Sequence, residues 1–118
     1  MKICIAGQGA FGIKHIEAVQ KIPGIELVTL AGGSPDSTAE VAKKYNIPHW
    51  STRLEECLAQ PGVSAAILAT PTQMHARQGI QCMRAGKHVQ IEIPVADNLK
   101  DSEELARVQT ETGLVCMG

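Results

Sequence analysis

The sequence predicts an α/β fold built on one doubly wound parallel sheet, in a single domain spanning residues 1–118. Three observations carry that expectation. Short apolar runs of strand length alternate along the chain with longer segments whose apolar residues recur at helical spacing. The first such run starts at Lys2 and leads directly into Gly7-Gln8-Gly9-Ala10-Phe11-Gly12, a glycine turn set between a strand and a helix. Residues 65–69 form an unbroken small and apolar stretch, as expected of a parallel strand covered on both faces. Right-handed crossovers then give the strand order 3-2-1-4-5-6.

Each element has its own signal. After the first strand a helix carries Gly12, Ile16 and Val19 on one face and stops near Pro23-Gly24. Residues 26–31 read as the second strand, broken by Gly32-Gly33-Ser34-Pro35. Ser37 and Glu40 have the spacing of a capping box for a helix through Tyr45. A short third strand falls around His49 and Trp50. Thr52 and Glu55 then cap a helix bearing Leu54, Cys57 and Leu58, which ends at Pro61-Gly62. The fourth strand at 65–69 precedes a helix with Ala76, Ile80 and Met83 on one face, and Gly86 stands where a C-cap glycine belongs. Val89 and Ile91 mark the fifth strand, Leu105 and Val108 the last amphipathic helix, and 114–117 the sixth strand.

Composition removes several function classes. The chain has 118 residues, 44% of them hydrophobic, and a net charge of −1 with its Lys and Arg scattered, so a nucleic-acid partner is not expected. Phe11, Tyr45 and Trp50 are too few for a base-stacking platform. No apolar run approaches the roughly 20 residues that span a bilayer. A strand starting at residue 2 leaves no room for a leader, which predicts a cytoplasmic protein. Cys4, Cys57, Cys82 and Cys116 lack paired spacing, so buried packing rather than a metal site or a disulfide is expected of them.

Function is read from where the unusual residues fall. The glycine turn follows strand one, Gly32, Gly33 and Ser34 follow strand two, Thr70-Pro71-Thr72 with His75 follow strand four, and Glu92-Ile93-Pro94 follow strand five. All four lie at the carboxyl ends of parallel strands, the edge at which open α/β sheets bind ligands. In the glycine turn, Gly7 permits a sharp bend, Gly9 lets a pyrophosphate approach the main chain, and Gly12 lets the helix pack on its strand. The helix start, from Ala10 and Phe11, offers N–H groups and a positive dipole end to phosphates. These features predict a dinucleotide cofactor.

The loop after strand two bears on which dinucleotide. An NAD site usually carries an acid about 20 residues past the glycines, bonded to the ribose 2′-hydroxyl. Here that count reaches Gly32, and no carboxylate appears before Asp36. Without the acid a 2′-phosphate is not repelled, and Ser34 with the Gly32 and Gly33 amides could bind it, so NADP is preferred over NAD. The cation of an NADP site would have to come from Lys14, Lys43 or Arg53. In the loop after strand four, Thr72 is suited to an N-cap, which places His75 in the first helical turn near a ligand. His15, His49 and His88 have no such setting and read as structural.

Gly7 to Gly12, Thr70-Pro71 with His75, and Ala85-Gly-Lys-His-Val89 followed by Glu92-Ile-Pro94 resemble the N-terminal half of the glucose–fructose oxidoreductase and inositol dehydrogenase superfamily, over the whole chain. The resemblance implies an NAD(P)-dependent dehydrogenase longer than this chain, oligomeric, with a second domain that holds the small-molecule substrate and a basic histidine. It also implies a cis Ile93-Pro94 peptide, rare as such bonds are in general. The family signature Glu-Lys-Pro reads Glu92-Ile93-Pro94 here, so the catalytic lysine is replaced by an apolar residue. Thr70 to His75 together with Ala85 to Pro94 resemble one branch of that superfamily, which implies oxidation of a cyclic hemiacetal with NADP in aromatic catabolism, with Ile93 as an apolar wall of the nicotinamide pocket. A sugar or cyclitol dehydrogenase and a non-catalytic dinucleotide-sensing module are the alternatives.

Overall fold

A computed structural model describes residues 1–91, 99–114 and 116–117 of the chain. The elements run β1 (Lys2–Ala6), α1 (Ala10–Val19), β2 (Glu26–Ala31), α2 (Pro35–Lys44), β3 (His49–Ser51), α3 (Leu54–Leu58), β4 (Val63–Leu68), α4 (Thr72–Arg84), β5 (His88–Ile91), α5 (Leu99–Thr112) and β6 (Cys116–Met117). All strand pairs are parallel, in the order β3-β2-β1-β4-β5-β6. This is the expected doubly wound sheet.

Side-chain alternation on β1 builds the two cores. Ile3 and Ile5 join Ile16 and Val19 of α1 and Ala42 of α2 on one face. Cys4 and Ala6 point to the other face, among Cys57 of α3, Met83 of α4 and Val108 of α5. Opposite Ile3 and Cys4 the β2 register jumps from Leu27 to Thr29, so Val28 is an extra residue. The bulge allows Leu27 and Leu30, three residues apart, to share the α1–α2 core.

β4 departs from expectation. Ala66 and Leu68 are buried beneath the second core, but Ala65 and Ile67 are only half-buried. The cause is topological: α1 and α2 serve β1 to β3, whereas α4 and α5 lie on the opposite face. A shallow groove of about 310 Å³, lined by Ile3, Ile67 and Gln90 among others, marks the partly covered side.

The helix ends show which local signals governed. Gly86 takes φ +81°, Lys87 N–H donates to the Cys82 carbonyl at 3.0 Å and Gly86 N–H to Met83 at 3.0 Å. These paired bonds close α4 with a Schellman motif, as its glycine predicted. The predicted N-caps are displaced. Ser34, not Ser37, caps α2, with Pro35 in the first helical position and Ser37 N–H donating to Ser34 Oγ at 3.4 Å. Thr52 does not cap α3: Arg53 stands at the cap position, and its N–H donates to Ser51 Oγ at 3.0 Å. Pro71 rather than Thr72 precedes α4, because proline's fixed φ suits the entry to a helix.

Cys4, Cys57 and Cys82 are buried, as packing residues should be. A hydrogen bond with Cys57, then burial, pushes the Cys4 thiol well up from its ordinary value. Among the described residues no His, Cys, Asp and Glu gather as a metal site, and no helix is long and apolar enough to cross a membrane.

Candidate functional site

A cleft of about 550 Å³ opens along the carboxyl edge of the sheet. β1 and β4 are neighbours, yet the chain leaves β1 for a helix on one face and β4 for a helix on the other. Their ends diverge, and the crevice forms between them. Main-chain bonds fix its floor: Gly7 N–H donates to Ala31 at 2.8 Å, Ala69 N–H to Ala6 at 2.8 Å and Gly32 N–H to Ser51 at 3.0 Å.

The three glycines of the turn do three different things. Gly7 has φ +121°, and a Cβ there would lie 2.6 Å from the Ala69 carbonyl oxygen. At Gly12 a Cβ would lie 1.8 Å from the Gly7 carbonyl oxygen, so only glycine lets α1 sit against the turn. Gly9 differs, because a Cβ there meets nothing within 4 Å and Gly9 lines the cleft. Its backbone is ordinary, with φ −80° and ψ −169°. No packing constraint requires a bare main chain at this point. α1 has no side-chain cap and no acid in its first turn, leaving its N-terminal dipole end suited to an anion. Ala10 and exposed Phe11 do not line the cleft.

Gly32 and Gly33 line the next part of the cleft. The two glycines differ in the room they leave for a side chain. A Cβ on Gly32 would lie 1.9 Å from Thr38 Oγ1, whose hydroxyl donates to the Ser34 carbonyl at 2.5 Å. At Gly33 the nearest atom to a Cβ is Gln8 Nε2 at 3.7 Å, an ordinary contact. Gln8 reaches across from the glycine turn: Gly33 N–H donates to its Oε1 at 2.9 Å, and its Nε2 donates to Ser37 Oγ at 3.2 Å. Ser37 Oγ lies 2.5 Å from Ser34 Oγ. Ser34 is exposed beside the cleft rather than in its lining. The three cations proposed from sequence do not line it either. Arg53 pairs with Glu55 at 2.6 Å, Lys14 lies over the Phe11 ring at 5.7 Å, and Lys43 is in the last turn of α2.

The opposite wall is Ala69, Thr70 and Pro71 with Met74 and Gln78 of α4. His75, expected to face a ligand, is instead 1% exposed and turned inward. Its Nε2 donates to the Thr70 carbonyl at 2.6 Å, and Thr70 Oγ1 donates to Gln78 Oε1 at 2.5 Å. The histidine therefore braces the loop that forms the wall. Sequence reasoning missed Gln78, although its place three residues after His75 puts both polar residues on one helix face. Thr52 and Leu54, after β3, were also missed; the same carboxyl-edge rule finds them. Glu92, Ile93 and the Ile93-Pro94 peptide lie outside the described residues.

Among the described residues, the polar side chains in the cleft lining are Gln8, Thr52, Thr70 and Gln78, all neutral. A parallel doubly wound sheet with this glycine turn at its switch point is a dinucleotide-binding domain. The chain belongs to the Gfo/Idh/MocA oxidoreductase family, NAD-binding Rossmann fold, whose model matches residues 1–118. It is 52% identical over 117 residues to 4-carboxy-2-hydroxymuconate-6-semialdehyde dehydrogenase of Sphingobium sp. (strain NBRC 103272 / SYK-6), covering 99% of this chain and 37% of that protein. It is 30% identical to scyllo-inositol 2-dehydrogenase (NAD(+)) of Bacillus subtilis (strain 168), covering 98% and 34%. A solved oxidoreductase of Desulfitobacterium hafniense, provisionally described as NADPH-dependent, superposes with a TM-score of 0.93 at 28% identity, covering 100% and 34%. The chain thus spans about a third of the length of the relatives it matches. Both nicotinamide dinucleotides occur among them.

Proposed function

We infer that the chain is the cofactor-binding part of a longer dehydrogenase that takes NADP in preference to NAD. The observation that carries the reading is Gly9, a bare main-chain position opening on the cleft with no packing reason to be bare. Gly7, Gly9 and Gly12, with the main chain of Gln8, Ala10 and Phe11, hold the pyrophosphate at the start of α1. Gly32, Gly33 and Ser34 face the adenosine ribose, where the absence of an acid admits a 2′-phosphate. Thr70, Pro71 and Thr72 border the nicotinamide half, and His75 holds that wall in place. Glu92 and Ile93 complete the nicotinamide pocket, with Ile93 as an apolar surface in place of the family lysine.

The specific reaction proposed is that of the 52%-identical relative. Its substrate, 4-carboxy-2-hydroxymuconate-6-semialdehyde, reacts as a cyclic hemiacetal and becomes 2-pyrone-4,6-dicarboxylate, a step of aromatic catabolism. The bound nicotinamide supplies the hydride acceptor. The hemiacetal hydroxyl proton needs a base, and among the described residues the cleft is lined by neutral amides and hydroxyls, which offer none. This chain therefore positions the cofactor and excludes water from one side, while the proton acceptor and the substrate pocket belong to a second domain.

The test is a turnover assay on the full-length gene product, following NADPH formation with the hemiacetal and, separately, with scyllo-inositol. Turnover of the hemiacetal with NADP, and none by the 118-residue chain, is expected. Turnover of the cyclitol alone would refute the substrate assignment.

A further inference from the structure

We propose that Gln8, through its side chain, determines how this domain reads the 2′ position of its cofactor. The inference rests on the dinucleotide reading above and deepens it. In most such sites an acid on the β2 loop makes the choice, and no acid is available here before Asp36. Gln8 stands in that space. Its carboxamide oxygen accepts from Gly33 N–H at 2.9 Å, and its Nε2 donates to Ser37 Oγ at 3.2 Å. Ser37 in turn lies 2.5 Å from Ser34 Oγ, the cap of α2.

The donors that a 2′-phosphate would use are therefore the ones Gln8 engages: the Gly33 amide directly, and the serine hydroxyls through Ser37. Gln8 is half-buried and reaches across the cleft edge from the glycine turn, so the clasp spans the ribose end. A 2′-hydroxyl can share such a neutral carboxamide, giving or taking one hydrogen bond. An anion at the same place competes with the amide oxygen for Gly33 N–H, since a donor shared between two acceptors bonds each of them more weakly. Gln8 thus competes with the 2′-phosphate and holds back the preference that the missing acid would otherwise produce. In this role it acts as a positioning residue for Gly33, Ser34 and Ser37.

Two variants move the preference in opposite directions. Gln8→Ala frees the Gly33 amide and both serines for the phosphate. Gln8→Glu keeps an acceptor on Gly33 N–H but places a negative charge beside the ribose, welcoming a 2′-hydroxyl and repelling a phosphate. The measurement is calorimetric affinity of the 118-residue chain for 2′,5′-ADP and 5′-AMP, with thermal melts of each variant alongside. The affinity ratio should rise on the order of ten-fold toward 2′,5′-ADP in Gln8→Ala and fall by a similar factor in Gln8→Glu, the size of one charge-assisted hydrogen bond. A merely structural role would lower both affinities together and leave the ratio unmoved, which would overturn the assignment, as would a ratio moving the same way in both variants. Failure of the folded parent to bind either nucleotide would refute the dinucleotide reading, and this one with it.

Discussion

Gly9→Val separates a glycine kept for a ligand from one kept for the fold. At Gly9 the backbone angles are open to any residue and a Cβ meets nothing within 4 Å. Valine is a poorer N-cap than glycine by about 0.5–1 kcal/mol, and the lost flexibility of the unfolded chain returns about 0.4–1 kcal/mol. The melting temperature should then stay within about 4–8 °C of the parent, the width of a 1 kcal/mol change in a small domain. Binding is another matter. The isopropyl group occupies the side from which the pyrophosphate reaches the first N–H groups of α1. Each charge-assisted bond is worth about 1.5–3 kcal/mol, and losing two costs about 3–6 kcal/mol, or roughly 10²- to 10⁴-fold in Kd. Gly12→Ala is the control: its Cβ falls 1.8 Å from a backbone oxygen, and such overpacking typically costs about 1–3 kcal/mol or more. Calorimetry with NADP and NAD, paired with thermal melts, reads both quantities. Unchanged affinity in Gly9→Val, or a melt as depressed as that of Gly12→Ala, would refute the reasoning.

Three other outcomes are expected. Gly33→Asp should shift preference toward NAD on the order of 10- to 100-fold, whereas Gly32→Asp should misfold against Thr38; an NAD/NADP affinity ratio unmoved at Gly33 would show that this loop does not face the ribose. His75→Ala should lower stability by about 1–3 kcal/mol by leaving the Thr70 carbonyl without its partner, and a denaturation curve matching the parent would remove its bracing role. Cys4, Cys57 and Cys82 should resist a thiol-reactive disulfide reagent at neutral pH because they are buried; the raised pKa also keeps the Cys4 thiol protonated, whereas Cys57, lowered to about 7 by its hydrogen bond with Cys4, is shielded by burial alone. Mass mapping that finds any of the three modified before unfolding would contradict that placement.

Much of this molecule was decided locally. Gly86 ends α4 because glycine takes its positive φ without the Cβ penalty most residues meet, and the alternation at Ile3, Cys4, Ile5 and Ala6 already assigns each side chain to one of two cores. The order of the six strands follows from the handedness of their crossovers, and the cleft edge follows from that order. Spacing also made the glycine turn legible. What it could not show is that Gly9 is free of packing while Gly7 and Gly12 are crowded, because the crowding atoms come from Ala69 and from the turn folded back on itself.

Only the tertiary structure decided the remaining assignments. Ser34 won the cap of α2 from Ser37 because Pro35 could open the helix one turn position after it. His75 turned inward because the carbonyl it meets belongs to the strand-to-helix loop that α4 packs beneath. Gly32 has no room for a side chain, and Gly33 has, because Thr38, six residues beyond Gly32, fills the space that a count along the chain would assign to one. Residue spacing reports periodicity within one element. Which donor meets which acceptor, and which Cβ has room, depends on atoms brought from other elements, and those distances exist only after the sheet has closed.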